Sequence, residues 1–325
     1  MPLFSSKKRF CIFIFDRIIP QKDYTLTKLE ARLLQSLVLI SFNTIALLAG
    51  CSNSAEPTDN ATDSTEIALD KKAGIDTAIS LSEPAATKFK WTKPVYDTTK
   101  QYIYLTFDDG PQNGTMTCYN ICRSEGVKAT FFMVGQHVFD KRLSGIVDTI
   151  RASYPQSLLA NHSYTHANGH YQYFYSHPYF AQDDFLRAQT KLNVPYKIIR
   201  LPGNSAWVRE GEVRASKTVK AVCNLLDSAG YNVAGWDVEW NFRHTDSKPV
   251  QSVSSMMKLV ATAFERKETH TKNHLVILTH DRMFRHPADA DSLRLFIAEL
   301  KKNPAYEFET IDNYPGQKTP VYSGH

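Results

Sequence analysis

The chain has 325 residues, enough for one large or two ordinary domains. Its 42% hydrophobic and 22% charged residues are those of a globular protein, which excludes a largely disordered or membrane-embedded chain. The formal net charge of +5 comes from scattered basic residues without a Lys/Arg block or an interleaved aromatic platform, which argues against nucleic-acid binding.

Residues 1–50 read as an N-terminal extension followed by a secretory signal. The run "LLQSLVLISFNTIALLAG" (33–50) follows Lys28 and Arg32 and leads into Cys51. A charged flank, an apolar core and small residues at the end are the marks of an exported chain. "LLAGC", Leu47 to Cys51, resembles a bacterial lipoprotein lipobox, which implies cleavage before Cys51 and lipid on its sulfur. The alternative is an uncleaved membrane anchor, which Gln35 and Asn43 weaken. Either reading puts the remainder in the cell envelope, on the periplasmic or outer-membrane side if the cell is Gram-negative. Ser52 after the cysteine, rather than aspartate, favours outer-membrane sorting in that case. Residues 1–27 fit poorly ahead of such a signal and suggest a translation start further along. Residues 51–95, poor in aromatics and rich in Ser, Thr, Ala and acids, read as a flexible tether. The folded part is expected to begin near Trp91, with a domain over 96–325.

From Tyr102 onward, strand and helix patterns alternate. Strands are expected at 102–107, 128–134, 157–160, 197–201, 232–238, 274–279 and 306–311. Amphipathic helical stretches lie near 115–125, 140–152, 180–191, 214–229, 250–267 and 289–302. Several strands are apolar almost throughout, as strands buried on both faces are. The expected fold is therefore α/β, a distorted (β/α) barrel with about seven parallel strands. Of the five cysteines, Cys118 and Cys122 stand four apart on a helix and read as buried free thiols.

Polar residues follow the strand ends. Asp108 and Asp109 end the first, His162 and His166 follow the third, and Arg200 ends the fourth. Asp237, Glu239 and Trp240 follow the fifth, and His280 ends the sixth. In a parallel barrel these ends share one face, where such folds keep their chemistry. "HSYTH" (162–166) puts two imidazoles one helical turn apart, able to share a metal with a carboxylate and leave positions open for water. Zinc is favoured, with another divalent transition metal such as cobalt as the alternative. Adjacent residues on extended backbone point to opposite sides, so one aspartate would bind the metal while the other faces the reacting water. Arg200 is the cation that would hold the pair. His280 reads either as a core histidine or as a general acid, its tautomer fixed by Asp237 or Glu239. Trp207 and Trp240 are candidates to floor a sugar pocket. The aromatic stretch "HYQYFYSHPYF" (170–180) reads as a self-packed loop.

Together these residues resemble the polysaccharide deacetylase family, the NodB-homology domain of carbohydrate esterase family four, over about residues 99–313. The motifs are "TFDDGP" (106–111), "HSYTH", "RLP" (200–202), "WDVEW" (236–240) and "LTH" (278–280), in the family's order. The resemblance implies a catalytic base at Asp108, metal ligands at Asp109, His162 and His166, an orienting Arg200 and an acid at His280. Gly203 stands where many members carry an aromatic residue. Its N–H can still hold an oxyanion, but the groove is expected to lose a wall. The implied activity is metal-dependent removal of N-acetyl groups from a carbohydrate polymer or oligomer such as peptidoglycan, chitin or exopolysaccharide. No obligate protein partner is implied. An O-acetyl esterase and a non-catalytic glycan-binding lipoprotein are the alternatives.

Overall fold

The computed structural model describes residues 93–318. In chain order the elements are β1 (Gln101–Gly110), α1 (Thr115–Ser124), β2 (Ala129–Met133), α2 (Lys141–Ala152), β3 (Ser157–Asn161), α3 (Tyr171–Ser176), α4 (Pro178–Lys191), β4 (Ile198–Ile199), β5 (Trp207–Arg209), β6 (Glu212–Arg214), α5 (Lys220–Ser228), β7 (Asn232–Val233), β8 (Val238–Glu239), α6 (Val253–Glu265), β9 (His274–His280), α7 (Pro287–Lys301) and β10 (Tyr306–Phe308). The strands form one sheet in the order β6-β5-β7-β4-β3-β2-β1-β9-β8, with β10 added on β1. All pairings are parallel except those of the β5–β6 hairpin. This is the expected distorted (β/α) barrel, with a hairpin added beside its seam.

Burial on both faces explains the apolar strands. Along β1, Ile103, Leu105 and Phe107 pack outward with Leu143, Ile146, Leu293 and Phe296 of the covering helices. Tyr102 and Tyr104 point the other way, into an interior shared with Phe132, Leu158, Ile198 and Val276. Helix starts follow local chemistry. The Asp140 side chain accepts from Leu143 N–H at 2.7 Å to cap α2, and Ser252 caps α6. Pro178 and Pro287 open α4 and α7, where a missing N–H costs nothing.

The expected strand over 232–238 is two strands far apart in the sheet path, where β8 is one end and β7 stands third from the other. β7 pairs with β4, whereas β8 pairs with β9. Only residues 234–237 separate them, so the sheet curls until β7 and β8 lie within four residues of chain. The stretch expected as a self-packed loop forms α3 and the start of α4. The helix expected from 214 begins at Lys220, because Glu212–Arg214 belong to the hairpin. Cys118, Cys122 and Cys223 are buried free thiols. Among the described residues no helix is long and apolar enough to cross a membrane. The expected signal, Cys51 and most of the tether lie outside the described residues.

Candidate active site

Strand parity delivers two of the polar groups. Thr106 and Asp108 continue the inward face of β1 after Tyr102 and Tyr104, and His280 continues that of β9 after Val276 and Leu278. The β1–β9 register sets Asp108 directly beside His280. By the same parity Asp109 should face the helices. A bulge between Asp108 and Gly110, with Asp109 at φ 76, turns it back into the cleft. The two carboxylates therefore converge on the same imidazole, instead of taking the opposite sides that extended backbone would give. His137, just after β2, donates Nδ1–H to the Asp109 carbonyl at 2.8 Å and holds the turn.

His162 extends the β3 ladder, its N–H donating to Met133 O at 2.9 Å. Its Nδ1 lies 2.9 Å from Arg200 O. A carbonyl can only accept, so Nδ1 carries the hydrogen and the Nε2 of the neutral ring is a lone pair. That Nε2 stands 3.5 Å from Asp109 Oδ1 and 3.6 Å from Asp108 Oδ2. His166 arrives by a different route from the helical turn expected. Ser163 (φ 74) and His166 (φ 52) are left-handed, and the His166 amide donates to Ser163 Oγ at 2.9 Å. His166 Nε2 reaches 3.2 Å from Asp109 Oδ1, with Tyr171 Oη 3.4 Å from its Nδ1.

One ligand atom each from Asp109, His162 and His166 lies within 4.8 Å of the others. Asp109 Oδ1 is buried and has no hydrogen-bond partner among the described residues. Lone pairs of a carboxylate and two imidazoles facing a common point repel unless a cation or proton sits between them. Burial alone would raise the Asp109 pKa, yet His162 and His166 hold it well below the ordinary carboxylate range. Burial alone would lower that of His162, yet Asp108 and Asp109 raise it. Two nitrogens and one oxygen suit zinc or another divalent transition metal, with positions left for water. The residues fit such an ion.

Arg200 is fully buried, and its guanidinium makes four hydrogen bonds. Nη1 donates to Asp108 Oδ1 at 3.0 Å and to Thr106 Oγ1. Nε and Nη2 donate to Ala234 O at 3.2 Å and Gly235 O at 2.9 Å, the carbonyls at the seam where the ladder is broken. One side chain thus orients Asp108 and closes the barrel. His280 packs edge-on against Phe242, and burial lowers its pKa against the pull of Asp109 and Asp108. Its Nδ1 is buried without a hydrogen-bond partner among the described residues.

Residues 96–234 match the polysaccharide deacetylase family model. Over these residues the chain is a polysaccharide deacetylase domain. It is 25% identical over 307 aligned positions to a chitin disaccharide deacetylase of Vibrio alginolyticus, covering 66% of this chain and 72% of that one. It is 27% identical over 220 positions to a peptidoglycan-N-acetylglucosamine deacetylase of Bacillus cereus, covering 65% and 69%. In fold it is similar to the catalytic domain of a peptidoglycan N-acetylglucosamine deacetylase from Eubacterium rectale, with a TM-score of 0.50 at 21% identity over 74% of this chain and 100% of that one. The family is one of hydrolases that act on acetyl groups of carbohydrates.

The deacetylase domain gathers Asp108, Asp109, His162, His166, Gly203, Glu239 and His280 around one cleft of about 650 Å³, with Arg200 beneath it. Three sequence expectations need correction. Trp240 is fully buried against Phe284 and Phe296, its Nε1–H donating to Gln251 O at 2.8 Å, so it offers no face to a sugar. Trp207 is buried between His270 and Tyr314 and does not line this cleft. Asp237 accepts from the backbone N–H groups of His270 at 2.6 Å and Val276 at 2.7 Å, away from His280. Glu239 lines the cleft with His280, but neither carboxylate hydrogen-bonds its Nδ1. The sequence reading missed three contributors to the cleft. Trp236 forms the aromatic wall that Trp207 and Trp240 do not. His137 braces Asp109. Tyr171 replaces the wall that Gly203 lacks: a Cβ on Gly203, whose φ is +63, would meet the Tyr171 ring at 3.3 Å. The aromatic run at 170–180 was the available signal for Tyr171.

Proposed function

We propose that the protein is a metal-dependent deacetylase that hydrolyses the N-acetyl group of N-acetylglucosamine-type residues in a polysaccharide or oligosaccharide. The observation that carries this reading is one cleft in which the ligand atoms of Asp109, His162 and His166 converge beside the in-register pair Asp108 and His280. Asp109, His162 and His166 would hold a divalent cation, zinc or one of similar preference. When bound, such an ion polarises a carbonyl and brings water to a pKa near about 7.

The chain's own groups supply the rest. Asp108 Oδ1 is tied to Arg200, which leaves Oδ2 on the His162 side to accept a proton from the attacking water. The Gly203 N–H has no partner among the described residues and lines the cleft, where it can donate to the oxygen that gains charge. His280 delivers a proton to the departing amine nitrogen, without which the amide would not break. Tyr171 and Trp236 bracket the sugar. The signal ahead of Cys51 supports an envelope location with a lipid anchor on that residue.

Acetate release from N-acetylglucosamine oligomers, with O-acetylated xylan in parallel, tests the reading. The wild type is expected to release acetate from the amide substrate. Asp108→Asn and His280→Ala are each expected to lower turnover by about a hundredfold or more. Wild-type rates in Asp108→Asn would remove Asp108 as the base, and release from xylan alone would convert the enzyme to an esterase.

A further inference from the structure

Trp236 lines two clefts, the catalytic one and a second, polar cleft of about 650 Å³. The walls of this second cleft come from the β5–β6 hairpin, the seam at 236–237 and the turn after α6 at 267–270. Two cations stand on it. Arg214 and Lys267 are both exposed, and neither forms an ion pair among the described residues. Arg214 is nevertheless positioned: its Nη1 donates to His270 Nδ1 at 3.2 Å. His270 Nε2–H in turn donates to Glu212 Oε2 at 3.2 Å, and the His270 ring stacks on Trp207 at 4.3 Å with an interplanar angle of 1°. The buried Trp207 thus props a bonded histidine that aims a guanidinium.

Lys267 carries a separate signal. It follows the end of α6 at φ +57, while Glu268 N–H closes back on Ala263 O at 2.9 Å. This is the left-handed helix-end position where glycine fits without strain and lysine does not. A strained residue whose side chain stands on a cleft points to a use for that side chain. The acids nearby set the charge of a ligand. Asp237 faces the backbone amides of His270 and Val276, and Glu268 is exposed on the rim. Two nearby carboxylates disfavour a dianion and leave a monoanion as the better match for a guanidinium fork and an ammonium.

We infer that the second cleft is a subsite for a carboxylate on the sugar next to the one being deacetylated, held by Arg214 and Lys267. The preferred substrate is then an acidic N-acetylated glycan, with Trp236 as the wall shared by two adjacent sugars. This rests on the deacetylase reading above and adds the substrate class to it.

The test compares three oligosaccharides of equal length: a neutral N-acetylglucosamine oligomer, one alternating with N-acetylmuramic acid, and one alternating with glucuronic acid. Wild type, Arg214→Gln and Lys267→Gly are measured for KM, kcat and equilibrium binding. For the wild type, KM for an acidic series is expected to be about fivefold to tenfold lower than for the neutral one, a gap that high salt closes. Both variants are expected to lose the gap with kcat and the neutral KM unchanged. Lys267→Gly should melt no lower than wild type, which separates lost recognition from lost folding. A gain with either acidic series supports the subsite and names the source of the carboxylate. Equal KM for acidic and neutral series, or equal losses on both in the variants, overturns it. If the wild type releases acetate from none of the three, the deacetylase reading fails, and the binding measurements alone decide the subsite.

Discussion

At Asp109 a single left-handed residue moves a carboxylate from the helix side of β1 into the cleft, with His137 bracing its carbonyl. Asparagine tolerates this backbone region well, so Asp109→Asn is expected to keep the fold while weakening zinc binding by at least about tenfold, read by competition with a chelating dye. A second buried carboxylate stands below. Asp281 accepts from Gln112 Nε2 at 2.6 Å and from Thr115 Oγ1, and burial pushes its pKa up to about 7 from 3.8. A carboxyl whose folded pKa is raised keeps its proton longer than the unfolded chain does. Its contribution is fully present below pH about 4 and is lost as pH rises toward 7. Melting temperature across this window is expected to fall more steeply in wild type than in Asp281→Asn, and parallel slopes would contradict the assignment. Most of the site was legible at this scale, because Asp108 and His280 follow from strand parity and the two histidines from their spacing. The side taken by Asp109 was not, since a bulge reverses parity without a mark in composition. Trp240 was mistaken for a cleft residue because proximity to Glu239 in sequence says nothing about facing the core.

Arg200 spans the seam between β7 and β8, beside the bonds that Asp237 makes to β9 and to His270. Arg200 donates to Asp108 and to the Ala234 and Gly235 carbonyls, so it links catalysis to closure of the sheet. Arg200→Ala would leave a buried carboxylate without its cation and two carbonyls without donors. The expected loss is about 3–5 kcal/mol in urea unfolding, along with lost activity. A loss below about 1 kcal/mol would mean that the seam is supported elsewhere. The split into β7 and β8 was hidden because "NVAGWDV" is apolar enough to read as one strand. The β5–β6 hairpin was overlooked because its strands are three residues each and carry charges. Its turn, Glu210–Gly211 with Gly211 at φ 72, was the clue.

Across the whole molecule, the barrel and its catalytic rim could be read early because five separate strand ends each deliver a polar group. The second cleft could not, because 207–214, 236–237 and 267–270 meet only through the fold. The lipid-anchor proposal is tested by growth with a labelled fatty acid. Wild type is expected to take up the label and Cys51→Ser is not, and labelling of the variant would contradict lipidation at that residue. The measurement that bears most directly on the catalytic account is a zinc titration of chelator-stripped protein, following bound metal and acetate release together. The rate is expected to rise in proportion to occupancy and level off at one ion per chain. Acetate release at the full rate from stripped protein, or zinc bound with equal affinity by Asp109→Asn, would contradict it.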